Sequence, residues 1–165
     1  MSKTKQDIFI ANNSIETQKL AESFVKRLKS GDVLALYGNL GSGKTTFVQG
    51  LAKGLGIKKR IISPTFIIVR EYNFKSQASA LRLISRQELK NTNQNSKLFY
   101  HVDLYRVESE KEVRELGIEE IVKGKDIVAI EWAEKMQSLL PKKRWDVRFE
   151  DLEGNKRKII IDQKL

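Results

Sequence analysis

Eight consecutive residues constrain the fold of this 165-residue chain more than any other stretch. They match the phosphate-binding pattern Gly-x4-Gly-Lys-Ser/Thr and are Gly38, Asn39, Leu40, Gly41, Ser42, Gly43, Lys44 and Thr45. The unbroken apolar run at residues 33–37 that precedes them is typical of a strand buried on both faces. After them, apolar residues recur at helical spacing, and Gly56 is placed to end that helix. The sequence therefore predicts a strand, a glycine-rich loop and a helix in the order that this pattern requires.

The residue types in this loop suit a polyphosphate. Its glycines let successive N–H groups point into one concavity at a helix N-terminus, where the helix dipole also favours an anion. Lys44 is long enough to reach the β- and γ-phosphates, and the Thr45 hydroxyl is a ligand for Mg²⁺. We expect residues 38–45, together with Thr46, to contact the phosphates of a nucleotide. The alternative, an ordinary glycine-rich turn, is weakened by the matching strand and helix patterns on either side.

The other patterns along the chain predict an α/β fold of the P-loop NTPase type. Residues 98–105 and the apolar run 127–130 are typical of strands, and residues 65–72 are rich in β-forming residue types. Near the C-terminus, alternating apolar residues and a turn at residues 153–155 predict an antiparallel hairpin. We expect one domain over residues 1–165, with a mostly parallel central sheet flanked by helices and the hairpin attached to the edge of that sheet.

Two acids lie at the ends of predicted strands, Glu131 after the run 127–130 and Asp103 within residues 98–105. Ligands of open α/β sheets bind beyond the carboxyl ends of the strands, and phosphoryl transfer needs a metal ion and a positioned nucleophile. One acid is expected to bind Mg²⁺ and the other to orient the attacking water, but the spacing does not assign the two roles. His101 falls on the same side of its strand as Asp103, so it is either a hydrogen-bonding support or a buried, satisfied histidine.

Two further segments each have two interpretations. Residues 63–65, Ser-Pro-Thr, form either a switch loop over the γ-phosphate or a plain proline turn. Residues 75–97 become rich in Asn and Gln towards their end, and Lys and Arg outnumber the acids. We interpret them as an inserted mobile loop, because surface loops tolerate added length, while a contact surface for a partner or RNA is the other interpretation.

The composition limits which binding partners and which cellular compartment are expected for this chain. The chain has no cysteine and one histidine, which excludes disulfides, thiolate metal sites and any site that needs two histidines. A formal net charge of +10 favours anionic partners such as RNA, although a solvated lysine-rich surface has the same charge. No apolar run is long enough to cross a bilayer, and the N-terminus lacks the apolar segment of a signal peptide. We expect a cytoplasmic protein without membrane contact.

Four sequence blocks together resemble a family of small ATPases. The blocks are residues 38–47, residues 63–66 with Glu71 and Tyr72, residues 101–106, and residues 130–134. In this order and spacing they resemble the TsaE family, also called YjeE, of bacterial tRNA threonylcarbamoyladenosine biosynthesis. The phosphate loop alone is generic, whereas the His-x-Asp-Leu-Tyr-Arg and Glu-Trp blocks make the resemblance specific. The chain departs from the family pattern between Tyr72 and the strand that contains His101. The family usually has a short turn there, whereas residues 73–97 intervene in this chain.

The resemblance implies an Mg²⁺-dependent ATPase subunit that works with the TsaB–TsaD complex and meets tRNA through that complex or directly. It implies that Thr45 and Glu131 bind Mg²⁺, that Lys44 binds the phosphates and that Asp103 supports hydrolysis.

The same resemblance implies further contacts with the nucleotide. Thr65 would belong to the switch loop at residues 63–65, and Trp132 would lie close to the nucleotide. The helix-cap region is expected to approach the adenine end, through Asn13, Ser14 and Thr17.

Three other functions compete with this one. A small-molecule or nucleoside kinase of the same fold is the main alternative, with basic residues of the 75–97 segment as a lid, but no other motif indicates a second substrate pocket. A GTPase is disfavoured because no Asn-Lys-x-Asp motif is present; residues 123–126 come nearest and lack the asparagine. The last alternative is a basic RNA-binding module with a vestigial nucleotide site.

Overall fold

The computed structural model describes residues 6–62, 68–75 and 96–165 of the chain. The described strands are β1 (Gln6–Ala11), β2 (Val33–Tyr37), β3 (Val69–Lys75), β4 (Ser96–Asp103), β5 (Ile127–Glu131), β6 (Arg144–Asp151) and β7 (Arg157–Lys164). The α-helices are α1 (Ser14–Phe24), α2 (Lys44–Gly54), α3 (Glu110–Glu115) and α4 (Ile118–Val122), and 3-10 helices span Val25–Arg27 and Ala133–Leu139.

The seven strands form one sheet in the order β1-β7-β6-β2-β5-β4-β3. Its four central strands β6, β2, β5 and β4 are parallel to one another. The outer pairs β1–β7, β7–β6 and β3–β4 are antiparallel. This arrangement confirms the predicted α/β class with a parallel core and an antiparallel C-terminal hairpin.

The β6–β7 hairpin is attached to the edge of the predicted parallel strands, because β6 pairs directly with β2, and β1 in turn covers β7. Two details of the sheet differ from the sequence-based prediction. The strand predicted at residues 65–72 begins at Val69 and is antiparallel to β4, while residues 63–67 lie outside the described part. The predicted loop at residues 75–97 is shorter at both ends, because Lys75 still pairs with Ser96 and Phe74 with Lys97.

A hydrophobic core covers each face of the sheet. On one face, α1 and α2 pack against alternate residues of the strands, including Leu34, Leu36, Ala129, Val147 and Ile161. On the other face, α3, α4 and the 133–139 segment cover the intervening residues, including Val33, Ala35, Val128, Ile130 and Val102. The strands β2 and β5 are therefore apolar on both sides, which explains their unbroken apolar sequences.

The sequence predicts that Asn13 or Ser14 caps helix α1, since Glu16 follows Asn13 by three residues. The side-chain oxygen of Asn13 accepts a hydrogen bond from the Glu16 backbone N–H at 3.0 Å. The Glu16 carboxylate in turn accepts from the backbone and side-chain amides of Asn12, at 2.8 and 2.9 Å, and these bonds lower the pKa of Glu16. The structure thus selects Asn13 over Ser14 as the cap, and it fixes the start of α1 beside the phosphate-binding loop.

The segment after β5 is less regular than its sequence predicts. The sequence predicts a helix over residues 133–140 that Pro141 ends. In the structure, Ala133–Leu139 is a 3-10 segment interrupted at Met136, which has a φ of −132°. Met136 is fully buried, so packing of this side chain against the sheet overrides regular helix geometry. Among the helices that the structure describes, none is long and apolar enough to cross a lipid bilayer.

Candidate nucleotide-binding site

The loop between β2 and α2 has the backbone that phosphate binding requires. Gly38, Gly41 and Gly43 have φ values of 150°, 77° and 103°, and Gly43 is the N-cap of α2. A Cβ atom built on Gly41 or Gly43 would meet nothing within 4 Å, so open space lies in front of both residues. The first turn of α2, at residues 44–46, directs N–H groups without intrahelical acceptors towards this concavity. The cradle therefore fits an anion such as a phosphate.

Lys44 is held inside this loop. Its side chain is 4% exposed, and its ammonium group donates hydrogen bonds to the carbonyl oxygens of Gly38 at 2.6 Å and Asn39 at 2.8 Å. The ammonium group also lies 4.1 Å from the centroid of the Trp132 ring, which is within cation–π range. Burial lowers the pKa of Lys44, while the negative charge of Glu131 acts in the opposite direction. The loop thus concentrates positive charge where a polyphosphate would sit.

Thr45 and Glu131 meet at the same end of the sheet. The Thr45 hydroxyl lies 2.9 and 3.0 Å from the two carboxylate oxygens of Glu131, which is 3% exposed. This contact arises because β2 and β5 are parallel neighbours, with Leu36 opposite Glu131, so that β5 ends beside the start of α2. A hydroxyl and a carboxylate side by side are the hard oxygen donors that Mg²⁺ prefers.

The described residues contain no group of three or more His, Asp or Glu side chains suited to a metal ion. A site with two protein oxygens is consistent with Mg²⁺, which usually keeps several waters and uses substrate phosphates as further ligands. The donor set therefore fits a magnesium–nucleotide complex better than a metal held by protein ligands alone.

The other predicted acid, Asp103, lies directly across from Glu131 in the β4–β5 register. It is 4% exposed, and one carboxylate oxygen accepts a hydrogen bond from the Tyr105 backbone N–H at 3.0 Å. His101 is fully buried on the same side of β4, and its Nε2 lies 2.7 Å from Glu131. The structure therefore brings both acids and the histidine to one end of the sheet, as the sequence predicts.

Trp132 follows Glu131 with a left-handed backbone, at φ 60° and ψ 43°. This conformation turns its ring towards Lys44 and against the Tyr105 ring, whose centroid is 5.2 Å away. Trp132 thus lies beside Lys44 of the phosphate loop, and its nearness to the nucleotide stays a prediction. Thr65 and the rest of the predicted switch at residues 63–65 lie outside the described residues, so their role stays a prediction.

A cavity of about 300 Å³ adjoins the phosphate loop. It is lined by Gly41, Gly43 and Thr46, by Asn13, Ser14 and Thr17 of the α1 N-terminus, and by Asn155 and Arg157 of the hairpin. The helix-cap region and the phosphate loop therefore line the same cavity. Leu40, by contrast, is 72% exposed at the tip of the loop, and Ser42 is buried.

Sequence reasoning missed the contribution of the hairpin to this cavity. The guanidinium group of Arg157 donates to the Gly41 carbonyl at 3.2 Å and pairs with Asp151 at 3.1 Å. The alternation of side chains along a strand could have indicated this contribution. Arg157 lies two residues before Ile159 and four before Ile161, so it is on the face of β7 that packs under α1 and α2. The pairing of β6 with β2, which brings the hairpin to the loop, carries no local sequence signal.

The comparison with protein families agrees with this geometry. The model of the family described as "Threonylcarbamoyl adenosine biosynthesis protein TsaE" matches residues 11–159, which is most of the chain. The chain belongs to the TsaE family. The matched region contains the phosphate loop, both acids and Trp132.

Individual relatives support the assignment. The protein named tRNA threonylcarbamoyladenosine biosynthesis protein TsaE from Bacillus subtilis is 37% identical over 149 residues, which cover 90% of this chain and 80% of the relative. The protein of the same name from Rickettsia felis is 37% identical over 151 residues, covering 91% of this chain and 76% of the relative. Among solved structures, one described as Bacillus subtilus YdiB matches with a TM-score of 0.73 and 28% identity, covering 100% of this chain and 90% of that one.

Proposed function

We propose that this TsaE-family protein is an Mg²⁺-dependent ATPase that serves tRNA threonylcarbamoyladenosine biosynthesis together with a TsaB–TsaD-like complex. The observation that carries the proposal is the contact of Thr45, at the start of α2, with Glu131, at the end of β5. This contact puts a magnesium-type donor pair beside a phosphate-type loop. The names of the relatives, which place those proteins in the same tRNA modification, supply the biological setting.

Each residue of the site has a distinct role in this proposal. The N–H groups of residues 41–46 and the ammonium group of Lys44 bind the β- and γ-phosphates, so Lys44 exchanges its bonds with loop carbonyls for bonds with phosphate oxygens. Thr45 and Glu131 hold the magnesium ion, which would neutralise charge that develops on the phosphates. Asp103, opposite Glu131 in the β4–β5 register, orients the water that attacks the γ-phosphate.

The cavity beside the loop is the proposed place of the nucleoside. It opens between the α1 N-terminus and the hairpin, and polar side chains line it on both sides. A volume of about 300 Å³ is at the lower end of the range of small-molecule sites, which suits a ligand that continues into the loop.

The partner complex is expected to regulate the rate of nucleotide hydrolysis. Nucleotide hydrolysis by P-loop proteins is often slow until a second protein completes the site. We therefore expect slow hydrolysis by the isolated chain and faster hydrolysis with a TsaB–TsaD-like complex, with tRNA bound mainly by that complex.

The test compares Lys44→Ala with Lys53→Ala, which changes an exposed lysine on the same helix. We expect Lys44→Ala to lower Mg²⁺–ATP hydrolysis by about 100-fold or more, because phosphate charge is then poorly neutralised. Lys53→Ala should hydrolyse ATP like the wild type. Reconstituted tRNA modification should follow the same pattern.

Two results would contradict the proposal. Unchanged hydrolysis in Lys44→Ala would remove the ATPase activity from this loop. Phosphorylation of a nucleoside acceptor well above the rate of ATP hydrolysis would favour a kinase instead.

A further inference from the structure

The Glu131 carboxylate is held between two elements. The Thr45 hydroxyl contacts it from α2, and His101 Nε2 contacts Oε1 from β4 at 2.7 Å. The His101 side chain is 0% exposed, and that of Glu131 is 4% exposed. Both partners are therefore shielded from water, so the orientation of Glu131 depends on these two contacts.

The imidazole of His101 has little use as core packing. A buried polar ring costs free energy unless it is hydrogen-bonded, and an apolar residue would fill this place without that cost. Its second nitrogen, Nδ1, is buried without a hydrogen-bond partner among the residues that the structure describes. Within those residues, the hydrogen bond to Glu131 is thus the polar contact that accounts for a histidine at this position.

The direction of this bond follows from the chemistry of the acceptor. An ionised carboxylate only accepts hydrogen bonds, so the hydrogen must be on Nε2. A glutamate has three rotatable side-chain bonds, and a metal ligand gains affinity when such freedom is removed beforehand. The donor on β4 restricts this freedom together with the Thr45 hydroxyl of α2.

We propose that His101 is a positioning residue, which fixes the Glu131 carboxylate beside Thr45 for the metal ion through its Nε2–H group. This inference rests on the proposed function, because the metal ion is the one that accompanies the nucleotide. It adds a third residue to the metal site, one that does not touch the metal.

Three substitutions separate positioning from packing. His101→Gln keeps an N–H donor at about the distance of Nε2, whereas His101→Asn is polar but too short to reach Glu131. Val102→Ala is the matched core control, since Val102 is fully buried on the same strand and belongs to the core on the other face of the sheet.

The experiment measures Mn²⁺ affinity of the full chain in the presence of ADP, by the electron paramagnetic resonance signal of free Mn²⁺. Affinity should fall about 10- to 100-fold in His101→Asn, the usual effect of losing a group that orients a metal ligand, and His101→Gln should restore most of it. Val102→Ala should bind Mn²⁺ like the wild type although it is less stable. The affinity for ADP without metal should stay the same in all variants.

The outcomes distinguish this inference from the proposed function. If the wild type and Glu131→Gln differ in Mn²⁺ affinity while His101→Asn matches the wild type, the role of His101 is overturned and the function stands. Equal loss in His101→Gln and His101→Asn would also overturn it, since the donor would then not matter. If the wild type with ADP binds no Mn²⁺, the proposed function fails as well.

Discussion

Trp132 shows how a single residue stores strain at this site. Among the described residues it is the only non-glycine with a positive φ, at 60°. A left-handed backbone costs an L-residue about 1–2 kcal/mol, so other contacts must offset it. The contacts of its ring with Lys44 and Tyr105 stabilise the residue and offset this free-energy cost.

The strain can be measured by two substitutions. Trp132→Ala and Trp132→Gly both remove the ring, but only glycine also relieves the left-handed backbone. We expect Trp132→Gly to be more stable than Trp132→Ala by about 1 kcal/mol in urea unfolding, the reverse of the usual order for these two residues. Lower stability of the glycine variant would show that the strain relaxes elsewhere.

The two acids at the strand ends should have separable effects. Glu131 contacts Thr45, so Glu131→Gln should raise the Mg²⁺ concentration for half-maximal ATP hydrolysis by about tenfold or more. Asp103→Asn should lower the turnover rate by about 10²- to 10⁴-fold with little change in Mg²⁺ dependence, as expected of a group that positions the nucleophile. Mg²⁺ titrations of both variants check this division, and a reversed pattern would exchange the two roles.

At the scale of elements, a close helix pair positions one wall of the cavity. A Cβ atom built on Gly50 of α2 would lie 2.3 Å from the Gln18 carbonyl oxygen and 2.7 Å from the Ala21 Cβ of α1. Any side chain at this position would therefore separate the two helices. Because Asn13 and Thr17 line the cavity from α1, we expect a side chain at Gly50 to change the width of this cavity as well.

Gly50→Ala tests this coupling. Alanine is the better helix former by up to about 1 kcal/mol, but the clash with α1 should dominate and destabilise the protein by about 1–3 kcal/mol. Lys53→Ala, on the exposed side of the same helix, should change stability by less than about 0.5 kcal/mol. Chemical denaturation measures both variants. A Gly50→Ala protein of wild-type stability would mean that α1 moves without cost.

The hairpin shows a different kind of coupling between elements. Because β6 pairs with β2 in parallel, Tyr37 lies opposite Arg148, and the hairpin continues past the start of the phosphate loop. The hairpin turn then reaches the loop, where Arg157 bonds to the Gly41 carbonyl. The β6–β7 hairpin is predicted from its alternating sequence, but it lies at the phosphate loop only because β6 pairs with β2.

At the scale of the whole molecule, the connection between β3 and β4 should be separable from nucleotide binding. The two strands pair continuously up to Lys75 and Ser96, so a tight turn can join them at that point. The Asn-Gly dipeptide favours such a turn. We interpret residues 75–97 as an insertion, and residues 76–95 of that stretch lie outside the described part of the chain.

Replacing residues 76–95 by Asn-Gly tests that interpretation. We expect unchanged ATP affinity and equal or slightly higher stability, by about 1 kcal/mol from the shorter loop closure. A Gly/Ser linker of the original length is the control for composition. Loss of ATP binding in both variants would contradict the interpretation, whereas loss of stimulation by the partner complex alone would assign the segment to docking.

The sequence by itself determined the local chemistry of this protein. The phosphate-loop pattern, the apolar runs of β2 and β5, a helix cap at Asn13 or Ser14 and the acids at the ends of their strands follow from spacing and residue type within short windows. These features were predictable because each depends on neighbours a few residues away.

Only the tertiary structure decided which distant residues meet. The contacts of Glu131 with Thr45 and His101 join residues 86 and 30 positions apart, and that of Arg157 with Gly41 spans 116 positions. Such contacts depend on strand order and on the packing of α1 against α2, which no short window encodes. The physical reason is that pairing between strands is set by the burial of whole faces of the sheet, so long-range geometry emerges only when the complete core forms.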